Sequence, residues 1–316
     1  MSLHPQAQAV IDAFARMNLS PPEDLPVAQA REQFLRARAG FIAAEEAVGG
    51  AIDASFSGPG GPIPVRIYRP LGSAPAEVLP VLMYFHGGGW VFGNLDSHDR
   101  LCRSLANRAR CCVIAVDYRL APEHRFPAAV EDAIAAIEHA ASNAEGLRID
   151  PRRIAAAGDS AGGNLVAVAA LHFRDQGGPR LALQVLLYPV TDLRMGSDAY
   201  RRLGSGYLLT AERMRYFARQ YLNEPADAAV WRASPLLAPS LADLPPALVI
   251  TASHDPLVDE GKAYADRLAA EGGRARYTCY AGMIHGFMTM AGAIEDGHTA
   301  IEETAAALRE AFASRA

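Results

Sequence analysis

The sequence predicts an α/β fold in which a mainly parallel sheet is flanked by helices on both faces. Short apolar runs recur at Val78–Phe85, Cys111–Val116, Ile154–Ala157, Leu181–Tyr188, Ala247–Ala252 and Ala275–Tyr280. Helix-like stretches separate most of them, at His98–Ala109, Pro127–Ala141, Ala161–Asp175 and Asp259–Ala270, with a last one at Gly297–Ala313. The runs are almost continuously apolar instead of alternating, as expected of strands covered on both faces. A chain of 316 residues buries roughly three quarters of the surface it exposes when unfolded, so one large domain suffices.

Taken from the N-terminus, the first fifty residues read as helices. Val10, Ile11, Phe14 and Met17 fall on one helical face, Phe34, Ala37 and Phe41 make a second stripe, and Pro21-Pro22 interrupts between them. From Ala51 the texture becomes strand-like: Ile52, Ala54 and Phe56 alternate with other residues, as do Val65 and Ile67 beyond a Gly-Pro-rich turn. The βα rhythm then runs to Val190, and no strand is evident from there to Ala247. That interval holds Tyr207, Leu208, Met214, Phe217, Tyr221 and Trp231, too apolar for a linker. The expected organisation is therefore N-terminal cap helices over 1–50 and a main domain over 51–316, with a helical cap insertion at about 191–246.

Composition excludes several roles. A formal net charge of −5 does not suit a nucleic-acid binder, which needs a basic face. No apolar run approaches the roughly 18 residues of a membrane-spanning helix, so no stable membrane anchor is expected. The start, Met1-Ser2-Leu3-His4-Pro5-Gln6, lacks the features of a secretion signal, and a cytoplasmic location follows as an expectation. Cys102, Cys111, Cys112 and Cys279 form no C-x-x-C pair. They read as free, buried thiols acting as small hydrophobes, with no metal site, and adjacent Cys111 and Cys112 should face opposite sides of a strand.

Chemistry concentrates at four places. Gly158-Asp159-Ser160-Ala161-Gly162 fits G-x-S-x-G and sits between an apolar run and an alanine-rich helical stretch. A strand, a sharp turn and a helix are what an exposed nucleophilic serine requires, with glycines admitting the turn. His86-Gly87-Gly88-Gly89-Trp90 follows the strand ending in Phe85. Acyl transfer needs N–H donors aimed at a developing oxyanion, and glycines let amides approach closely. Gly87, Gly88 and Ala161 are the expected donors. Phosphate-binding loop patterns do not accompany the glycines.

The base should lie on a loop at the C-terminal edge of the sheet. Of nine histidines, His285 in Gly282-Met283-Ile284-His285-Gly286-Phe287 has that position, while His98, His139, His172 and His298 fall in expected helices. The supporting acid should precede the histidine. Asp255 directly follows the run Ala247–Ala252, whereas Asp259 and Glu260 suit the cap and first turn of the next helix.

Together these segments resemble the hormone-sensitive-lipase-like carboxylesterases, bacterial family IV. The likeness rests on His86–Trp90, Gly158–Asn164, Asp255-Pro256-Leu257 and His285-Gly286-Phe287, with Asp117-Tyr118-Arg119-Leu120-Ala121-Pro122-Glu123 as a further shared, structural segment. It extends from about Val78 to Phe287. The resemblance implies an α/β-hydrolase fold with an eight-stranded sheet, a helical cap and a catalytic domain over 51–316. It also implies hydrolysis of short-to-medium acyl esters without a cofactor, a small-molecule ester as partner, and homodimers through the last strand. His254 departs mildly from the pattern, leaving the acid assignment intact and bearing on local pH response. Candidate pocket walls are Trp90, Phe92, Tyr207, Leu208, Phe217 and Met283. Amides, carbamates or lactones are alternative substrates for the same triad. A non-catalytic receptor, as in the plant gibberellin receptors that resemble this family, is a further alternative.

Overall fold

The computed structural model describes residues 2–314. Eight strands form one sheet: β1 (Gly50–Gly58), β2 (Gly61–Arg69), β3 (Leu79–Phe85), β4 (Cys112–Val116), β5 (Ile149–Asp159), β6 (Gln184–Leu187), β7 (Ala247–His254) and β8 (Ala275–Ile284). Their spatial order is β1-β2-β4-β3-β5-β6-β7-β8. β1 and β2 form an antiparallel hairpin, and β2 meets β4 antiparallel. Every later pairing is parallel. The helices are α1 (Pro5–Arg16), α2 (Val27–Arg38), α3 (Asp99–Ala109), α4 (Ala128–Ser142), α5 (Ala144–Leu147), α6 (Ala161–Gln176), α7 (Asp198–Leu203), α8 (Ala211–Tyr221), α9 (Val258–Ala270) and α10 (Glu295–Ala313).

The two-residue period of the strands divides the core into two layers. Val81, Met83 and Phe85 of β3 pack on one face with Val130, Ile137, Leu165 and Leu268 of the helices there. Leu82 and Tyr84 pack on the other with Leu101, Leu105, Ile301 and Leu308. Cys112 and Cys111 follow the same rule, one in each layer; all four cysteines are free thiols, but Cys279, in β8, is exposed and not buried as expected.

Differences from the expected elements have local causes. β5 starts at Ile149, where Leu79 pairs with it across a register shift, and polar Asp150–Arg153 hides this half from an apolar-run reading. β6 stops at Leu187 because Tyr188 takes a left-handed backbone, with φ at 36°. Met17 lies beyond α1 and is 41% exposed, so it is not part of the buried stripe. Phe41 lies beyond α2 and stacks on Phe14 at 5.0 Å. The interval after β6 contains α7, α8 and short 3₁₀ turns at Pro225–Ala229 and Pro235–Leu237, with no strand. Among the described residues, no helix is long and apolar enough to cross a membrane.

Candidate active site

Ser160 occupies the single residue between β5 and α6, with φ 56° and ψ −116°. A non-glycine residue there is strained and must be held from outside. The Ser160 N–H donates to Leu187 O at 2.8 Å, and its carbonyl accepts from the Asn164 and Val190 amides. The two glycines of the pentapeptide are steric requirements. A Cβ on Gly158 would run into the Gly162 backbone, and one on Gly162 would run into the Phe85 carbonyl. The turn is thus closed tightly against β3 and the start of its own helix.

His285 follows β8, and Asp255 follows β7. His285 Nε2 lies 3.0 Å from Ser160 Oγ, and His285 Nδ1 lies 2.6 Å from Asp255 Oδ2. The other oxygen of Asp255 accepts the Leu257 N–H at 2.9 Å, which fixes the carboxylate plane. Asp255 is fully buried, while Ser160 and His285 keep slight exposure. The Tyr188 ring meets the imidazole edge-on at 4.9 Å. Asp259 serves elsewhere, since it lies in the first turn of α9, accepts the Ala199 N–H and pairs with Arg202. Glu260 is buried and accepts the Thr191 and Asp192 amides.

The glycine loop requires a correction. The Gly87 N–H donates to Asp159 Oδ1 at 2.8 Å, so it is not free for an oxyanion. Gly88 and Gly89 both have positive φ, at 118° and 61°, and line the same cavity as Ser160. Among the described residues, neither of their amides donates to a protein acceptor. The Ala161 N–H, at the first position of α6, has no intrahelical partner. Gly88, Gly89 and Ala161 are therefore the available donors, with Gly89 in place of Gly87. Sequence reasoning also missed Asp159, the variable residue of G-x-S-x-G; its ionisable side chain beside the nucleophile was the available signal.

Asp159 organises this side of the site. It accepts from Tyr84 Oη at 2.8 Å and lies 3.1 Å from His98 Nε2, besides holding Gly87. His98 sits in a 3₁₀ turn immediately before α3, not within the helix. His86 is structural, as its Nδ1 contacts Gly87 O at 2.8 Å and its ring stacks on Tyr118 at 4.4 Å. The segment 117–123 meets the loop through an uncharged residue, Tyr118. Tyr118 Oη donates to His86 O at 2.7 Å, and Arg119 is bound to Asp132. Arg31 of α2 pairs with Glu123 and donates to the carbonyls of Val91 and Ala121. One arginine thus ties α2 to the chain just after the glycines.

A cavity of about 550 Å³ opens at Ser160 and His285. Of the six expected wall residues, Phe92, Leu208 and Phe217 line it. Phe217 of α8 lies over Gly89, where a Cβ would meet its ring. The other three are corrections. Trp90 turns away with φ 60° and stacks on Tyr221 at 4.2 Å in the core. Met283 is buried within β8, and Tyr207 meets His254 edge-on at 5.1 Å. Residues of α2 that sequence reasoning did not place in the pocket, including Phe34 and Arg38, also line it.

Comparison with known proteins agrees with this architecture. A family model described as alpha/beta hydrolase fold matches residues 82–289. The carboxylic ester hydrolase LipN of Mycobacterium tuberculosis is 46% identical over 247 residues, covering 75% of this chain and 64% of that protein. The chain thus matches less than two thirds of LipN's length. The ethyl acetate hydrolase of Pseudomonas putida is 43% identical over 251 residues, covering 78% of each. An ester-hydrolase from the Lake Arreo metagenome, solved with a bipyridine phosphonate derivative, superposes with a TM-score of 0.94 at 42% identity, covering 98% of this chain and 99% of that one. By fold, by sequence and by the extent of both matches, the chain belongs to the α/β-hydrolase family.

Proposed function

We propose that this chain is a serine carboxylesterase hydrolysing short-to-medium-chain acyl esters through an acyl-enzyme on Ser160. The observation that carries the reading is the continuous relay from Ser160 Oγ to His285 at 3.0 Å and on to Asp255 at 2.6 Å, facing a cavity with unused amides. The esterase names of the relatives support it.

In this mechanism His285 takes the Ser160 proton as Oγ attacks the ester carbonyl, and Asp255 holds Nδ1–H so that Nε2 is the acceptor. The oxygen that becomes negative sits against the amides of Gly88, Gly89 and Ala161, at the N-terminus of α6, whose dipole favours that charge. Collapse releases the alcohol after His285 returns the proton to it. Water, deprotonated by the same imidazole, then attacks the acyl-enzyme and frees the acid. No step draws on a cofactor.

The helices of residues 1–50 and the insertion at 191–246 act as a cap in this reading. Phe34 of α2 and Phe217 of α8 both meet the ring of Phe92, at 5.3 Å each, which supports it. Among the described residues β8 pairs with a strand on one side only, an edge suited to a homodimer, and light scattering tests that. Residence in the reducing cytoplasm is part of the same reading, supported by the free thiols and checked by fractionation.

The deciding experiment is labelling of the purified protein with a fluorophosphonate, locating the adduct by mass spectrometry. A stoichiometric adduct on Ser160 that is lost in His285→Ala is expected, together with faster turnover of butanoate than of hexadecanoate esters. Folded protein that gives no adduct would overturn the reading and favour a binding role.

A further inference from the structure

The cavity wall carries two guanidinium groups that the esterase chemistry does not use. Arg38, in the last turn of α2, and Arg213, in the first turn of α8, both line the cavity that holds Ser160. They come from two different helices. Arg38 lies beside Gly286, the residue after His285: a Cβ there would be 3.5 Å from Arg38 Nη1. Arg213 stands one helical turn before Phe217, whose ring covers Gly89, so both side chains project from one face of α8.

Neither arginine forms an ion pair or a hydrogen bond with a carboxylate among the described residues. The side chain of Arg38 makes one long contact, 3.4 Å to Thr289 Oγ1, and its guanidinium lies over the Phe34 ring at 4.6 Å. The guanidinium of Arg213 makes no hydrogen bond or ion pair among the described residues. The carboxylates on the wall are committed elsewhere: Asp96 binds Arg66 at 2.9 Å, and Asp159 is bound to Gly87, Tyr84 and His98. Glu23 is exposed and forms an ion pair with neither. Other arginines of the chain pair freely, as Arg31 does with Glu123 and Arg119 with Asp132. Burial draws the pKa of both groups down; for Arg38 the charge of Asp159 opposes this and that of Arg213 adds to it, while for Arg213 the carboxylate of Glu23 opposes it. Arginine nonetheless stays protonated. Two guanidinium groups that line one cavity without an ion pair of their own would be favoured by an anion that joins them, and a planar guanidinium matches a carboxylate in two hydrogen bonds.

We propose that Arg38 and Arg213 form an anion subsite, so that the preferred substrates are esters that also carry a carboxylate. This rests on the esterase reading of Ser160 and adds the substrate class to it. The carboxylate belongs either to the acyl half, as in a half-ester of a dicarboxylic acid, or to the alcohol half, as in an acylated hydroxy acid.

The test compares kcat/KM for matched charged and neutral esters. Mono-4-nitrophenyl glutarate against 4-nitrophenyl butanoate probes the acyl half. 4-Carboxyphenyl butanoate against 4-carbamoylphenyl butanoate probes the alcohol half. One anionic ester of the two pairs should exceed its neutral mate by about tenfold or more, mainly through KM, with the advantage shrinking as salt screens the charges. In Arg38→Met/Arg213→Met that ratio should collapse towards one, and Arg38→Lys should retain part of it. Arg36→Met/Arg215→Met removes the same charge from exposed positions of the same helices and should keep the ratio. Wild-type protein that disfavours both anionic esters overturns the subsite, whether or not the variants fold. Turnover of the neutral esters separates the two claims. If they are hydrolysed without an anionic preference, only the subsite fails, whereas no hydrolysis of any ester removes the esterase reading too.

Discussion

The carboxylate of Asp159 accepts the N–H of Gly87 at 2.8 Å, so the residue before the candidate nucleophile holds the loop that carries the candidate oxyanion donors. The contact joins the end of β5 to the end of β3 and sets the two halves of the site at a fixed distance. It also explains why Gly88 and Gly89, and not Gly87, present free amides.

Asp159→Asn should lower kcat about 10- to 100-fold with little change in KM, because the donors are displaced only where charge develops. The carboxylate serves Gly87, Tyr84 and His98 at once, and an amide offers one oxygen and brings two N–H groups of its own. Rates on 4-nitrophenyl butanoate decide this; an unchanged kcat would make the contact merely structural. The same variant should alter acid stability. Burial alone would raise this carboxyl, but His98, with Tyr84 and His86, overrides it and holds Asp159 down at about 2. A folded pKa below the unfolded one gives stability that is present above about pH 4 and lost as pH falls towards the folded value. Acid unfolding followed by circular dichroism should therefore depend less on pH in that window for the variant.

Asp255→Asn should cost about 10⁴ in kcat while leaving the fold intact. The Leu257 N–H already occupies one oxygen of Asp255, so the single oxygen of an asparagine is drawn there and its NH₂ faces His285 Nδ1. Nδ1 must then accept, Nε2 carries the proton, and the imidazole cannot take one from Ser160. Ser160→Ala should cost more, on the order of 10⁶. Steady-state rates of both purified variants, with thermal melts as folding controls, check the order.

Gly162→Ala should fail at folding instead of catalysis. The added methyl would run into the Phe85 carbonyl, and neither β3 nor α6 has room to withdraw because both are fully buried there. Soluble yield and the thermal midpoint should fall together; a stable Gly162→Ala of normal melting temperature would contradict the close packing described for the turn.

The sequence made Ser160, Asp255 and His285 legible because each sits directly after an apolar run, and parallel strands deliver such residues to one edge. The parallel sheet was legible for a related reason, since buried strands and helices of distinct period alternate along the chain. What escaped depends on side-chain direction. Trp90 and Phe92 are two residues apart, yet the left-handed backbone at Trp90 sends its indole to Tyr221 while Phe92 faces the cavity. The role of Gly87 was hidden because it depends on a carboxylate far away in sequence. Arg38 was hidden because the residues it meets, Gly286 and Thr289, join it only through the tertiary fold.

Phe217 should set the acyl length. Its ring covers Gly89, touches Phe92 edge-on at 5.3 Å and closes the cavity beside the free amides. Phe217→Ala extends the space next to the reacting carbonyl without touching Ser160, His285 or Asp255. Octanoate and decanoate esters should gain about fivefold or more in kcat/KM relative to butanoate, since each methylene buried in the enlarged wall adds about 0.8 kcal/mol. Stability should fall by at most about 3–5 kcal/mol, the range for truncating a buried phenylalanine, and by less where the cavity already borders the ring. Chain-length profiles of the two proteins provide the check. A profile that stays peaked at butanoate after the truncation would move the length limit to α2, whose Phe34 also meets the Phe92 ring at 5.3 Å.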